Sequence, residues 1–154
     1  MQGVYTYTRR VATVTTAVNL LEFEGAANGV YEVLRAWVKA STAAAAQQQG
    51  IFGLYTTSAV GTGGSPTTVT PDKTEPLSAT AASAVKFGYT TPAVKAVARD
   101  EDSPSVLAGY LFVPTPEERI FVRGSTSILR NLILRSDQTL TSVNLLVGLR
   151  IREL

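Results

Sequence analysis

The sequence predicts an all-β protein: an antiparallel β-sandwich, jelly-roll-like in connectivity. Alternation of apolar and polar residues with a period of two recurs from end to end. The apolar stretches are short, and turn signals separate them at intervals of about ten residues. No long amphipathic segment stands between them as a crossover helix, which argues against a parallel α/β fold. Residues 11–154 read as a single sandwich domain, residues 1–10 as an N-terminal arm or a first strand, and residues 58–80 as a long extended loop.

QGVYTYTRR (2–10) alternates Val4, Thr6 and Thr8 against Tyr5 and Tyr7. Such a segment either opens the sandwich or adds its strand to a neighbouring subunit through backbone pairing. ATVTTAVNLLEF (12–23) and VYEVLRAWVKAS (30–41) are Val-, Thr- and aromatic-rich strands, separated by the turn residues Gly25 to Gly29. STAAAAQQQG (41–50) has good helix formers and ends on a glycine suited to a C-cap, but no apolar stripe, so it reads as a loop or a single turn. IFGLYTTS (51–58) and AVKFGYT (84–90) are strands. In TPAVKAVARDED (91–102), Pro92 fits a first helical position, and a short helix and an extended connection are equally compatible with the residues. VLAGYLFV (106–113) and RIFVR (119–123) are strands. Between them PTPEE holds Pro114 and Pro116, which exclude a central strand and mark a turn. SILRNLILRS (127–136) is apolar on both sides in its middle, the pattern of a strand covered on both faces. SDQTLT (136–141) reads as a short hairpin-type link. In SVNLLVGLRIREL (142–154), Val143, Leu145, Val147, Leu149 and Ile151 share one face, and Asn144, Gly148, Arg150 and Arg152 the other, with Leu146 as the exception.

The 154 residues are 45% hydrophobic and 17% charged. A charged share below the usual ~25% points to a surface that is neutral or covered by a partner. Cysteine and histidine are both absent, which removes disulfides, thiolate metal sites and the Ser-His-Asp triad together. The net charge is +2, and Arg9-Arg10 is the one adjacent cationic pair, so the sequence lacks the clustered Lys and Arg of a nucleic-acid binder. It also lacks the run of about 20 apolar residues of a membrane helix. MQGVYTYTRR lacks the apolar core of a signal peptide, so the protein is expected to be made and used in the cytoplasm, or in a particle assembled there.

Three carboxylate groups are the candidates for chemistry. Glu22 and Glu24 would share a face of one strand, with Cα atoms about 6.5–7 Å apart, a spacing a glycosidase pair can use. They read more simply as solvated charges at a strand end. Asp100-Glu101-Asp102 and Glu117-Glu118 sit in turn-like sequence as solvated charges, and the first lacks the spaced loop of a calcium site. GTGG (61–64) has no lysine at P-loop spacing and no helix behind it, so it does not read as a nucleotide loop. Trp37 and the six tyrosines would form a sugar-stacking platform only if exposed; in strands such residues are usually core or interface. No catalytic, cofactor-binding or metal-binding residues are assigned, and no enzyme activity or cofactor is expected.

LRAWVKASTAAAAQQQGIFGLYTTSAVGTGGSPTTVTPDKTEP, with the Thr- and Ala-rich residues after it, resembles a recurrent module of small tailed-bacteriophage virion proteins. Val33 to Ala40, Ile51 to Thr57, Gly61 to Gly64 and Val69 to Lys73 fill its places, and VGLRIREL resembles the final strand of such proteins. Within that group the size and character are most similar to the capsid decoration, or cement, proteins. The resemblance implies a β-rich homotrimer on the outer face of a phage head that clamps major capsid subunits, with no nucleic acid or membrane as partner. It would leave residues 58–80 as a loop ordering against a neighbour. The expected contact residues are then Val4, Tyr5, Tyr7, Arg9 and Arg10 in the arm. In the loop they are Gly61, Gly63, Gly64, Thr67 and Val69. A tail or head-completion component and a carbohydrate-binding jelly roll are the alternatives.

Overall fold

The computed structural model describes residues 3–41, 48–75, 79–124 and 131–154. In chain order its strands are β1 (Val4–Val14), β2 (Val18–Glu24), β3 (Val30–Ala40), β4 (Phe52–Ala59), β5 (Thr67–Thr68) and β6 (Asp72–Lys73). They continue with β7 (Ala84–Phe87), β8 (Val94–Asp102), β9 (Tyr110–Phe112), β10 (Ile120–Arg123), β11 (Leu132–Ser136) and β12 (Val143–Glu153). No helix occurs among the described residues. Two six-stranded antiparallel sheets form. The first has the order β10-β3-β12-β1-β6, with β9 also on β3; the second has the order β5-β7-β2-β11-β4-β8.

Alternation explains why two layers form. In β12 the five predicted inward residues, Val143 to Ile151, are all buried, while Leu146, Arg150 and Arg152 face outward. β12 lies between β1 and β3, in register Tyr5↔Ile151, Tyr7↔Leu149 and Leu149↔Ala36. The inner face of this sheet meets Leu21, Phe23, Leu54, Val85, Leu132 and Leu134 of the second sheet in one core. Each large side chain fully buried there contributes about 1.5–3 kcal/mol. β11 is central, between β2 and β4, and covered on both faces as its sequence predicts. Leu132 and Leu134 enter the core, while Ile133 packs outside with Tyr55 and Ala93.

Several expectations are corrected. Residues 12–23 are not one strand: β1 ends at Val14, the chain turns, and β2 begins in the other sheet. The link 136–141 is not a hairpin, because β11 and β12 lie in opposite sheets. A strand with one apolar face can move to the opposite layer and still point that face at the core, so alternation alone cannot tell a hairpin from a layer change. Of the two readings left open for 91–102 the extended one holds, since residues 94–102 form strand β8. β9 and β10 both pair with β3, as one interrupted edge strand, and 113–119 is an excursion closed by a Glu118 N–H bond to the Thr115 carbonyl at 3.1 Å. Residues 42–47 of the alanine-rich segment, and 127–130, lie outside the described residues.

The stretch 58–80 also differs from its expectation. Over its described residues, 58–75 and 79–80, it does not reach away from the sandwich; it climbs from the second sheet to the first and closes one side. Gly63 and Gly64, at φ of 73° and 72°, make the reversal that L residues rarely adopt. β5 pairs with β7, Val69 N–H donates to the Val85 carbonyl at 2.8 Å, and β6 pairs with β1. Val69 is buried in the core. Edge pairing uses backbone groups, so a stretch poor in apolar side chains can still be fixed in place. The N-terminal segment is likewise within the fold: β1 pairs with β12 on one side and β6 on the other.

Candidate interaction surfaces

Three surfaces carry the polar and exposed apolar groups. The first is the outward face of the first sheet. Its registers align side chains in rows: Arg10, Leu146 and Lys39; Thr8, Gly148, Trp37 and Leu111; Asp72, Thr6, Arg150 and Arg35; Val4, Arg152, Glu32 and Phe121. Trp37 lies over Gly148, where an added Cβ would come 2.0 Å from the indole. The Arg35 guanidinium stands 5.2 Å from the Trp37 ring. Glu32, only 3% exposed, is held from two sides, by Arg152 at 3.1 Å and Arg119 at 3.3 Å. The cations scattered along the sequence are therefore gathered in space. Seven of them, Arg119 and Arg123 included, stand on or beside this face against the carboxylates of Glu32 and Asp72. That excess is larger than the net charge of +2, so the rest of the chain is net acidic. Sequence reading missed this face because its residues come from strands far apart; the outward positions of 142–154 were the available signal.

The second surface is the side opposite 58–80, where the sheet edges β8 and β9–β10 face each other uncovered. One groove there is lined by Thr56, Val97 and Arg99 across from Ile120, Phe121 and Arg123. A second continues past Arg99 to Asp102, Leu111, Val113 and Glu118. Val97 is 60% exposed, and Val94, Leu111, Val113 and Phe121 are exposed with it. Tyr110 bridges the two edges, its hydroxyl donating to Asp100 at 2.5 Å. The Tyr55 hydroxyl donates to Glu101. Asp100 and Glu101 are thus hydrogen-bonded by tyrosines rather than only solvated, whereas Asp102, Glu117 and Glu118 are exposed.

The third surface is the outward face of the second sheet. Glu22 and Glu24 do share it, and both brace the segment before β8. Glu22 Oε1 accepts from Asn19 Nδ2 at 2.9 Å and Ala93 N–H at 3.1 Å. Glu24 accepts from Lys86 at 2.7 Å and from the Tyr89 hydroxyl. Arg135 donates to Asn19 Oδ1 at 2.7 Å and to Asp137 at 2.9 Å, and Asp137 also takes Lys95. Partial burial of Asp137 opposes its ionisation, but the bonds from Lys95 and Arg135 outweigh this and hold its carboxyl below the usual range.

The predicted contact residues divide between surface and core. Val4 and Arg10 face outward on the first sheet, and Gly63, Gly64 and Thr67 are exposed at the 58–80 reversal. Tyr5 and Tyr7 point into the core, where they meet the Ala79 carbonyl at 2.8 Å and Ser83 Oγ at 3.2 Å. Arg9 turns inward as well: its guanidinium lies 3.3 Å from the Phe87 ring centre and donates to the Leu20 carbonyl at 2.9 Å. Gly61 is buried, with space for no Cβ beneath Tyr89, and Val69 is in the core. Tyr5, Tyr7, Tyr31, Tyr55 and Tyr110 are all buried, so the aromatic residues do not line up as an exposed sugar platform. Among the described residues no group of three or more carboxylates is placed to hold a metal ion. No protein-family model, curated protein or solved structure matches this chain.

Proposed function

We propose that the protein is a virion structural protein of the head-decoration kind. It binds the outer surface of a phage capsid as a homo-oligomer, a trimer in the expected case, and stabilises the shell by bridging major capsid subunits. The observation that carries this reading is the open side of the sandwich. Among the described residues a nine-residue edge strand, β8, has no strand partner on its outer side, beside exposed Val94, Val97, Leu111, Val113 and Phe121. Monomeric soluble proteins rarely leave such an edge bare, and its natural use is adhesion to another protein. The strand order supports the jelly-roll form of the sandwich. With β9 and β10 taken as one strand, the eight principal strands give (β9–β10)-β3-β12-β1 in one sheet and β2-β11-β4-β8 in the other. Several weak contacts made together gain about 10²–10⁴ in avidity, which suits a small block acting on a repeating lattice.

The test is to mix purified protein with empty expanded capsids and count bound copies by electron microscopy. Saturable occupancy at regular lattice points is expected, with Val97→Asp/Phe121→Asp folding normally and losing at least about tenfold in apparent affinity. Absence of saturable binding at low salt rejects the decoration role and favours a tail or head-completion position.

A further inference from the structure

We infer that copies of this chain associate head to tail, the basic outward face of the first sheet receiving the acidic rim of the open side of the next copy. This deepens the structural reading above, on which it rests only in having copies act together, by naming the two surfaces that meet. The basic partner is the set of rows carrying Arg10, Arg35, Lys39, Arg150 and Arg152. Arg35 and Lys39 are exposed beside Trp37 and Leu146, so the charges frame an apolar strip. Arg150 donates to Thr74 Oγ1 at 3.2 Å, yet its Nε is buried with no hydrogen-bond partner, a donor set into the face.

The acidic partner is the rim formed by Glu101 and Asp102 at the end of β8, with Glu118 on the facing excursion. Exposed Val113 and Leu111 lie between them. Each surface is thus an apolar strip bordered mainly by charge of one sign, with Arg99 the exception on the rim and Glu32 and Asp72 on the face, and the two prevailing signs are opposite. A nucleic acid would complement the basic face alone and would leave the acidic rim unexplained; a second copy complements both.

The two surfaces adjoin at Leu111, which pairs with Trp37, and spread from there over the outward face and the open side; the contact is heterologous when each copy engages two different neighbours through them. Such a contact either closes into a ring or runs on as a filament; a block serving fixed lattice points requires closure. Charge-led contacts of this kind are also screened by salt, since the Debye length shrinks from about 8 Å at physiological ionic strength to about 3 Å at 1 M.

Sedimentation of the full chain at low salt, without capsids, tests the inference. The wild-type protein should form one discrete oligomer that loosens as salt is added. Arg35→Glu/Lys39→Glu on the face, and separately Asp102→Lys/Glu118→Lys on the rim, should each weaken association at least about tenfold, because like charges then oppose one another. All four positions are exposed, so unchanged thermal melting of each variant serves as the folding control. Combining the four substitutions re-forms opposite charges with their signs exchanged and should restore the oligomer. A wild-type protein that stays monomeric overturns the inference, as does an oligomer indifferent to the reversals. Monomeric protein that retains an oligo-dT probe through Arg35 and Lys39 would overturn it too, and assign the face to nucleic acid. Capsid decoration by a monomer would reject this inference alone; a discrete oligomer that ignores capsids would reject the decoration role alone.

Discussion

Raising the pH from about 10 to about 12 is expected to unfold the protein in one cooperative step. All six tyrosines hold their protons above the ordinary value of 10.0, and in each case burial is the leading cause. Tyr7 is pushed up to about 12 by burial, against the lowering effect of its contact with Ser83. Tyr55, Tyr89 and Tyr110 go further in the same direction, because each donates its hydroxyl to a carboxylate, Glu101, Glu24 and Asp100 respectively. The unfolded chain therefore ionises first. Stability from this source is complete below pH 10 and is lost as pH rises through the folded-state values. A two-unit rise such as that of Tyr7 is worth about 2.7 kcal/mol, and each proton withheld adds about 1.4 kcal/mol per pH unit to the slope. Several acting together exhaust a stability of about 5–15 kcal/mol. Arg9 works the other way. Burial disfavours its charge and lowers its pKa, although a guanidinium keeps its proton in proteins. One group does not offset six. Tyrosinate absorbance should rise together with the loss of the β-sheet circular dichroism signal, more steeply than a one-proton curve. A gradual tyrosinate rise near pH 10 with the β signal intact would show that the hydroxyls are not buried as described.

The parts of this fold that were legible are those in which side chains carry the information. Val143 to Ile151 on one face of the last strand, and Leu132 to Leu134 apolar on both sides, placed two strands correctly and gave the second its central position. What could not be read is what the backbone decides. β5 and β6 are two residues each, too short to show any alternation, and are set by pairing with β7 and β1. Val69, where the described part of that stretch dips into the hydrophobic core, has polar or proline neighbours and no periodicity to announce it. Layer changes were equally silent. Residues 136–141 have the length and polarity of a hairpin turn, and only the contacts of β11 with β2 and β4 place it in the other sheet. The basic face fell between these cases. Arg150 and Arg152 were recognised as outward, but their meeting with Arg35 depends on β3 pairing with β12 across more than a hundred residues of chain, and with a register shift at Arg150.

Replacing Glu153 with alanine is expected to cost about 3 kcal/mol, far more than a charge at the end of a strand would suggest. Alternation along β12 continues inward past Ile151, so position 153 points to the interior, and Glu153 is 8% exposed. Its Oε1 accepts the Ala82 N–H at 3.0 Å, the Ser83 N–H at 3.0 Å and the Ser83 hydroxyl at 2.8 Å. Those donors belong to the segment entering β7 of the second sheet, so the carboxylate ties the last strand of one sheet to the other, on the side that 58–80 closes. Without it Ala82, which is exposed, can return its N–H to water, but Ser83 is buried: its N–H is left unsatisfied and its hydroxyl keeps only the Tyr7 hydroxyl at 3.2 Å. An unsatisfied group costs about 1–3 kcal/mol, whereas a hydrogen bond merely exchanged for water costs about 1. Glu153→Gln keeps an acceptor in the same place and should lose about 1 kcal/mol or less. It should also let Tyr5, Tyr7 and Tyr31 titrate at lower pH, because the charge of Glu153 is one of the causes raising all three. Urea unfolding of the two variants, with an unchanged m-value as the sign of an intact native state, separates them. Equal losses for alanine and glutamine would mean that the tie is made by the charge and not by the acceptor, and the account of how the two sheets are joined at this side would fall.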